Sequence, residues 1–167
     1  AATATYSDYQ LAIAPTSSTY YTWNGNTSTD WNTAVNWTPS GIPGSTTGAV
    51  IPDANTTVFQ PTLPATASTQ AACQYIIIQT NGVLNAGSGA TLTISDGVVG
   101  DAWGMEAGGT FNAGNSTTIF NGGADHVASF SGSTNFYNVT ITSFSKLRPA
   151  ANSYAGIAGA FVNNGTF

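Results

Sequence analysis

The chain has 167 residues, only 5% of them charged, and its two cations, Lys146 and Arg148, leave a formal net charge of −5. That length suits one domain with room for a sizeable core, and so few cations exclude nucleic acid, whose affinity rests on neutralised phosphates. The same balance excludes a basic membrane-surface helix, and no apolar run approaches the ~18 residues of a spanning one, so membrane insertion is not expected.

Residues 1–22 alternate weakly at Tyr9, Leu11 and Ile13 and stop at Pro15-Thr16-Ser17-Ser18-Thr19. This is the pattern of an arm or edge strand that can add to a neighbouring sheet. No basic or apolar leader opens the chain, which points to a removed signal or to a segment of something longer.

Residues 23–72 differ in texture. Trp23, Trp31 and Trp37 fall close together, and Pro39, Pro43, Pro52, Pro61 and Pro64 punctuate the remainder of the block. Each proline removes a donor from a strand ladder. The block therefore predicts an irregular cap whose indole rings cover the open end of an apolar core. Val50-Ile51 and Thr57-Val58-Phe59 are its expected short strands.

Residues 73–167 repeat. Gly82-Val83-Leu84-Asn85-Ala86-Gly87 returns 27 positions on as Gly109-Thr110-Phe111-Asn112-Ala113-Gly114. Asn164-Gly165-Thr166-Phe167 echoes Asn81-Gly82-Val83-Leu84 at about three times that offset and lies near two offsets beyond Gly109. Such a period is too long for one hairpin and fits one coil of a β-solenoid.

Thr91–Ile94, Thr117–Phe120 and Phe136–Ile141 alternate bulky apolar with small polar residues, the mark of strands with one buried face. None can bury that face alone, whereas stacked coils join the apolar columns into one core. Corners at Ala86-Gly87-Ser88-Gly89, Asn121-Gly122-Gly123 and Ser131-Gly132-Ser133 supply the positive φ that a bend needs.

The segment from Asp96 to Glu106 is expected either to continue a strand or to bulge out as a loop. The expected fold is all-β, a parallel β-helix with a Trp/Pro-rich N-terminal cap. A β-sandwich or jelly roll would use the same ingredients, and the repeat spacing decides between them. The last residues stop as a repeat begins, so the coils are expected to be completed by further repeats or by another copy.

Trp23-Asn24-Gly25, Trp31, Asn36-Trp37, the Pro-rich link, Cys73 before Ile76-Ile77-Ile78, and the Asn-Gly-Thr-Phe repeats together resemble the N-terminal segments of large secreted Bacteroidota-type surface proteins. The resemblance covers residues 20–167. It implies β-helix-like repeats, an extracellular cell-surface location reached through a distant C-terminal sorting domain, and an adhesive or scaffolding role rather than catalysis.

Two constellations compete with a purely structural reading. Asp96, Asp101 and Glu106, spaced by five, would lie on one loop where calcium could gather them; a polysaccharide-degrading β-helix enzyme would use such a site. Otherwise they are solvated loop charges, and no cofactor is required. Trp23, Trp31 and Trp37, with the amides of Asn24, Asn32 and Asn36, could form a platform for glycans, since indole faces stack on sugar rings.

Asp125-His126 lacks a serine elbow and reads as a turn, and Asp53-Ala54-Asn55 is only a fragment of a calcium loop. Cys73, in a strand-like run far in sequence from any cation, reads as a buried inert thiol. The expected function is a non-catalytic structural or adhesive segment of a surface protein or filament. A carbohydrate-binding module is the alternative and a calcium-assisted enzyme the weaker one.

Overall fold

A computed structural model describes residues 19–65, 68, 70–95, 101–122, 127–143 and 145–166. Among these residues the regular secondary structure is nearly all strand. A short entry precedes the coils: β1 (Tyr20–Trp23), a 3-10 turn at Ala34–Asn36, and β2 (Trp37–Thr38). Five coils of three strands come next. The first is β3 (Gly48–Ile51), β4 (Thr62–Leu63) and β5 (Ala71–Cys73), and the second is β6 (Ile76–Ile78), β7 (Val83–Ala86) and β8 (Thr91–Ile94). The third is β9 (Asp101–Met105), β10 (Thr110–Asn112) and β11 (Thr117–Phe120). The fourth is β12 (Val127–Ser131), β13 (Ser133–Phe136) and β14 (Asn138–Ile141), and the fifth β15 (Lys146–Pro149), β16 (Tyr154–Ile157) and β17 (Phe161–Asn163).

Corresponding strands lie over one another. The first face is a seven-stranded sheet, β2-β1-β3-β6-β9-β12-β15; the third is five-stranded, β5-β8-β11-β14-β17. The second face carries β4-β7-β10, with the β13-β16 pair set against β10. Every coil-to-coil pairing is parallel, and only β2 runs antiparallel, at the edge beside β1. Phe111 pairs with Leu84 in one sheet, which excludes the sandwich.

The alternation predicted in β8, β11 and β14 sends Leu92, Thr118 and Val139 inward as one column, and Ile94, Phe120 and Ile141 as the next. On the first face Ala49, Ile76 and Trp103 stack, as do Ile51, Ile78 and Met105. All lie in one continuous buried cluster, apart from the buried Thr118. Each large aliphatic side chain taken from water contributes roughly 1.5–3 kcal/mol.

Several expectations change. The coils begin at Gly48 rather than near Cys73, because Pro52, Pro61 and Pro64 stand at corners beside β3 and β4, where no ladder donor is lost. Tyr20–Trp23 is a single strand across the anticipated boundary at residue 22. Thr57-Val58-Phe59 is not a strand; Val58 is exposed, and Phe59 closes a loop on Gly25.

The run Phe136–Ile141 breaks at Tyr137 into β13 and β14 on two faces. Asp101–Met105 continues the first sheet, one of the two expected outcomes, with a register irregularity against β12. The echo at Asn164–Phe167 is a false repeat. Gly82 and Gly109 precede strands of the second face, whereas Thr166 bridges to Lys146 on the first. The stack is 27 residues per coil at Ile76/Trp103 but 21 at Thr117/Asn138, since the later corners shrink to single residues such as Gly132 and Tyr137. The arm at residues 1–18, with Tyr9, Leu11 and Ile13, lies outside the described residues.

Candidate functional site

The tryptophan block is a knot of buried rings rather than a platform. Trp23, Trp31 and Trp37 are each at most 1% exposed. Trp37 meets Trp23 edge-on at 5.0 Å and Trp31 at 4.7 Å between ring centroids. Trp23 Nε1 donates to the Phe59 carbonyl at 2.7 Å and Trp37 Nε1 to the Trp31 carbonyl at 2.8 Å. Rings with no face open to solvent cannot stack on a sugar, so the platform formed by these three is overturned.

The amides of Asn36 and Asn24 are committed as well. Asn36 is fully buried; its Oδ1 accepts from the Thr27 and Ser28 backbone N–H groups, and its Nδ2 donates to Ser28 Oγ and the Asp30 carbonyl. Asn24 Nδ2 donates to Thr38 Oγ1. Asn32 takes its own backbone support from Asp30 Oδ1. Gly25, at φ +55°, has no room for a Cβ, which would strike the Phe59 carbonyl and the Trp23 indole nitrogen. The Trp-Asn-Gly and Asn-Trp pairs are thus the fasteners of one loop.

Of the residues expected to gather calcium, two lie along the third coil. Asp101 opens β9 and Glu106 follows its last residue, which sets them about 16 Å apart along an extended strand. Glu106 Oε2 accepts from the Thr80 N–H at 2.9 Å and its hydroxyl at 3.0 Å, tying the third coil to the second. Asp96 lies outside the described residues, as do Asp125 and His126. Among the described residues no group of three or more His, Cys, Asp or Glu gathers at one point.

Asp53 serves the same cross-coil role. It accepts from Asn55 N–H and Nδ2 and, more weakly, from Asn81 Nδ2 at 3.3 Å in the next coil. These bonds, the Asn55 backbone N–H first, hold its carboxyl below the ordinary value. Cys73 is buried, and desolvation pushes its thiol well above the usual range, which makes it inert as expected.

One opening lies on the fourth and fifth coils. A groove of about 280 Å³ is lined by Asn135, Phe136, Tyr154, Gly156, Ile157 and Ala158. β13 and β16 place these residues in register: Ser133 pairs with Tyr154 and Asn135 with Gly156. Tyr154 is 63% exposed and Asn135 is exposed beside it, while Phe136 is buried. The groove is not legible as a unit in the sequence, because 21 residues separate its two strands. The stacking register, applied to β13 and β16, is the signal that brings them together.

A family described as a domain of unknown function (DUF8693) matches residues 22–142, and the chain belongs to it. The match takes in the tryptophan knot and the first four coils. No curated protein and no solved structure matches the chain.

Proposed function

We propose that this DUF8693 member is a non-catalytic structural or adhesive segment of an extracellular surface protein, in which the length and stiffness of the coil stack are the function. The observation that carries this reading is the axial register, in which Ala49, Ile76 and Trp103 follow one another through the first sheet. Backbone hydrogen bonds then run along the stack, and five coils at ~4.8 Å spacing extend it by roughly 24 Å.

The surface supports the same reading. Outward positions of the third face are Thr91, Thr93, Thr117, Ile119, Asn138 and Thr140, all uncharged. Coils are further stitched by Asn138 Nδ2 to Thr117 Oγ1 and by Thr142 Oγ1 to Asn121 Oδ1. Among the described residues β16 and β17 have a strand neighbour on one side only, so further repeats or another copy of the chain would extend the sheets by strand addition. That makes a filament subunit the specific form of the proposal.

The decisive experiment is immunogold labelling of intact source cells with an antibody raised against this chain, paired with electron microscopy of the labelled material. Surface label on extended structures is the expected result. Label confined to the cell interior would overturn the proposal.

A further inference from the structure

We infer that the groove between the fourth and fifth coils binds a single neutral pyranose ring of a glycan. This goes beyond the structural reading, since a stiff stack can serve with or without such a groove.

Three features converge. First, the aromatic face is available. Tyr154 is 63% exposed, and its Cε1 lies 3.2 Å from where a Cβ on Gly156 would stand, so the ring borders the glycine. Second, an amide stands beside it. Asn135 Oδ1 would collide with that same Cβ, which places a donor–acceptor pair over the glycine and beside the ring. An exposed aromatic face takes the C–H face of a sugar, and an amide takes paired hydroxyls.

Third, the lining is uncharged. Phe136, Ile157 and Ala158 complete it, with no acidic or basic side chain among the six residues. A carboxylated or sulfated sugar would find no counter-charge there, so the ligand chemistry is neutral. The size agrees: about 280 Å³ is at the lower limit of ligand pockets, roughly 300–1,000 Å³, and suits one ring rather than a long oligosaccharide.

The arrangement is repeated in outline at the adjoining corner. Tyr137 is 38% exposed, and a Cβ on Gly159 would stand 3.0 Å from its Cε1 and 2.5 Å from Asn138 Oδ1. There the Asn138 amide is already used, accepting from the Ala160 N–H at 2.8 Å and donating to Thr117 Oγ1. Tyr137 therefore serves as an internal control.

The test is an NMR titration of the isotopically labelled chain with the methyl glycosides of glucose, galactose, mannose and N-acetylglucosamine, up to ~50 mM, which covers the millimolar range of a one-ring site. At least one sugar should shift the Asn135, Gly156 and Ala158 amides. Tyr154→Ala should weaken that sugar about tenfold, as expected for a lost aromatic contact, and Gly156→Val should abolish binding by displacing the Asn135 amide.

Tyr137→Ala should leave affinity unchanged. If Tyr154→Ala is not folded, Asn135→Ala, at an exposed position, gives the same reading through a weakened titration. No shift with any of the four sugars overturns the inference, as does binding that survives both Gly156→Val and whichever of Tyr154→Ala or Asn135→Ala is folded. Equal loss on Tyr137→Ala also overturns it, by moving the contact to the other corner.

Discussion

Phe111 lies directly over Leu84, 27 residues earlier, in a parallel register that also sets Asn112 over Asn85. The inner pair is buried and the outer pair is joined by an Asn112 Nδ2 to Asn85 Oδ1 hydrogen bond of 2.8 Å. One repeat unit thus supplies both the dry column and a polar tie on its outer surface.

Leu84→Ala should accordingly be costly and Asn112→Ala mild. Leu84 is fully buried, and removing its side chain should cost about 2–5 kcal/mol, because its neighbours above and below are held by their own coils and cannot close the cavity. The Asn tie is exposed and should cost at most ~1 kcal/mol. Urea denaturation of the two variants checks both; equal effects would contradict the stacked-core account.

Asn36→Ala should destabilise the entry loop by about 1–3 kcal/mol, since it strips partners from the backbone N–H groups of Thr27 and Ser28 and from the Asp30 carbonyl. Gly25→Ala should be at least as damaging, because it combines strain at φ +55° with collision against Phe59. Gly89→Ala, at φ +70° with open space around it, should cost only the ~1 kcal/mol of backbone strain. Thermal melts of the two glycine variants separate collision from strain.

Acid should loosen the corner between the first and second coils. The Asp53 carboxyl is held below its ordinary value of 3.8 by Asn55 and Asn81. Its contribution is therefore complete above that pH and disappears as pH falls through the lower folded value. Asp53→Asn should be less stable than the parent at pH 6, and the gap should narrow below about pH 3.8. A constant gap from pH 6 to pH 2 would rule out this carboxylate as the source.

Alkali should act through Cys73. Burial keeps its thiol neutral in the folded chain, while in the unfolded chain it ionises near pH 8.5. Its contribution is present below that pH, and stability should fall by up to ~1.4 kcal/mol per pH unit above it. Cys73→Ala should lack this part of the alkaline decline. A disulfide-exchange reagent should label native Cys73 only as fast as the protein opens, and immediate labelling would show an accessible thiol.

Local pattern was enough to place Leu84, Leu92, Phe111 and Val139 inside, because alternation in a strand fixes which side chains share a face, and a repeated spacing fixes which strands can lie over one another. It was not enough for Trp23, Trp31 and Trp37, whose closeness in sequence suits an exposed cluster as well as a buried one. Their role was decided by tertiary contacts: the Phe59 carbonyl returns from 36 residues away to accept from Trp23 Nε1, and Asn36 ties down the Thr27 and Ser28 backbone. The groove at Tyr154 and Asn135 needed the coil register itself, since residues 19 positions apart become neighbours only when the corners shorten and the fifth coil settles on the fourth.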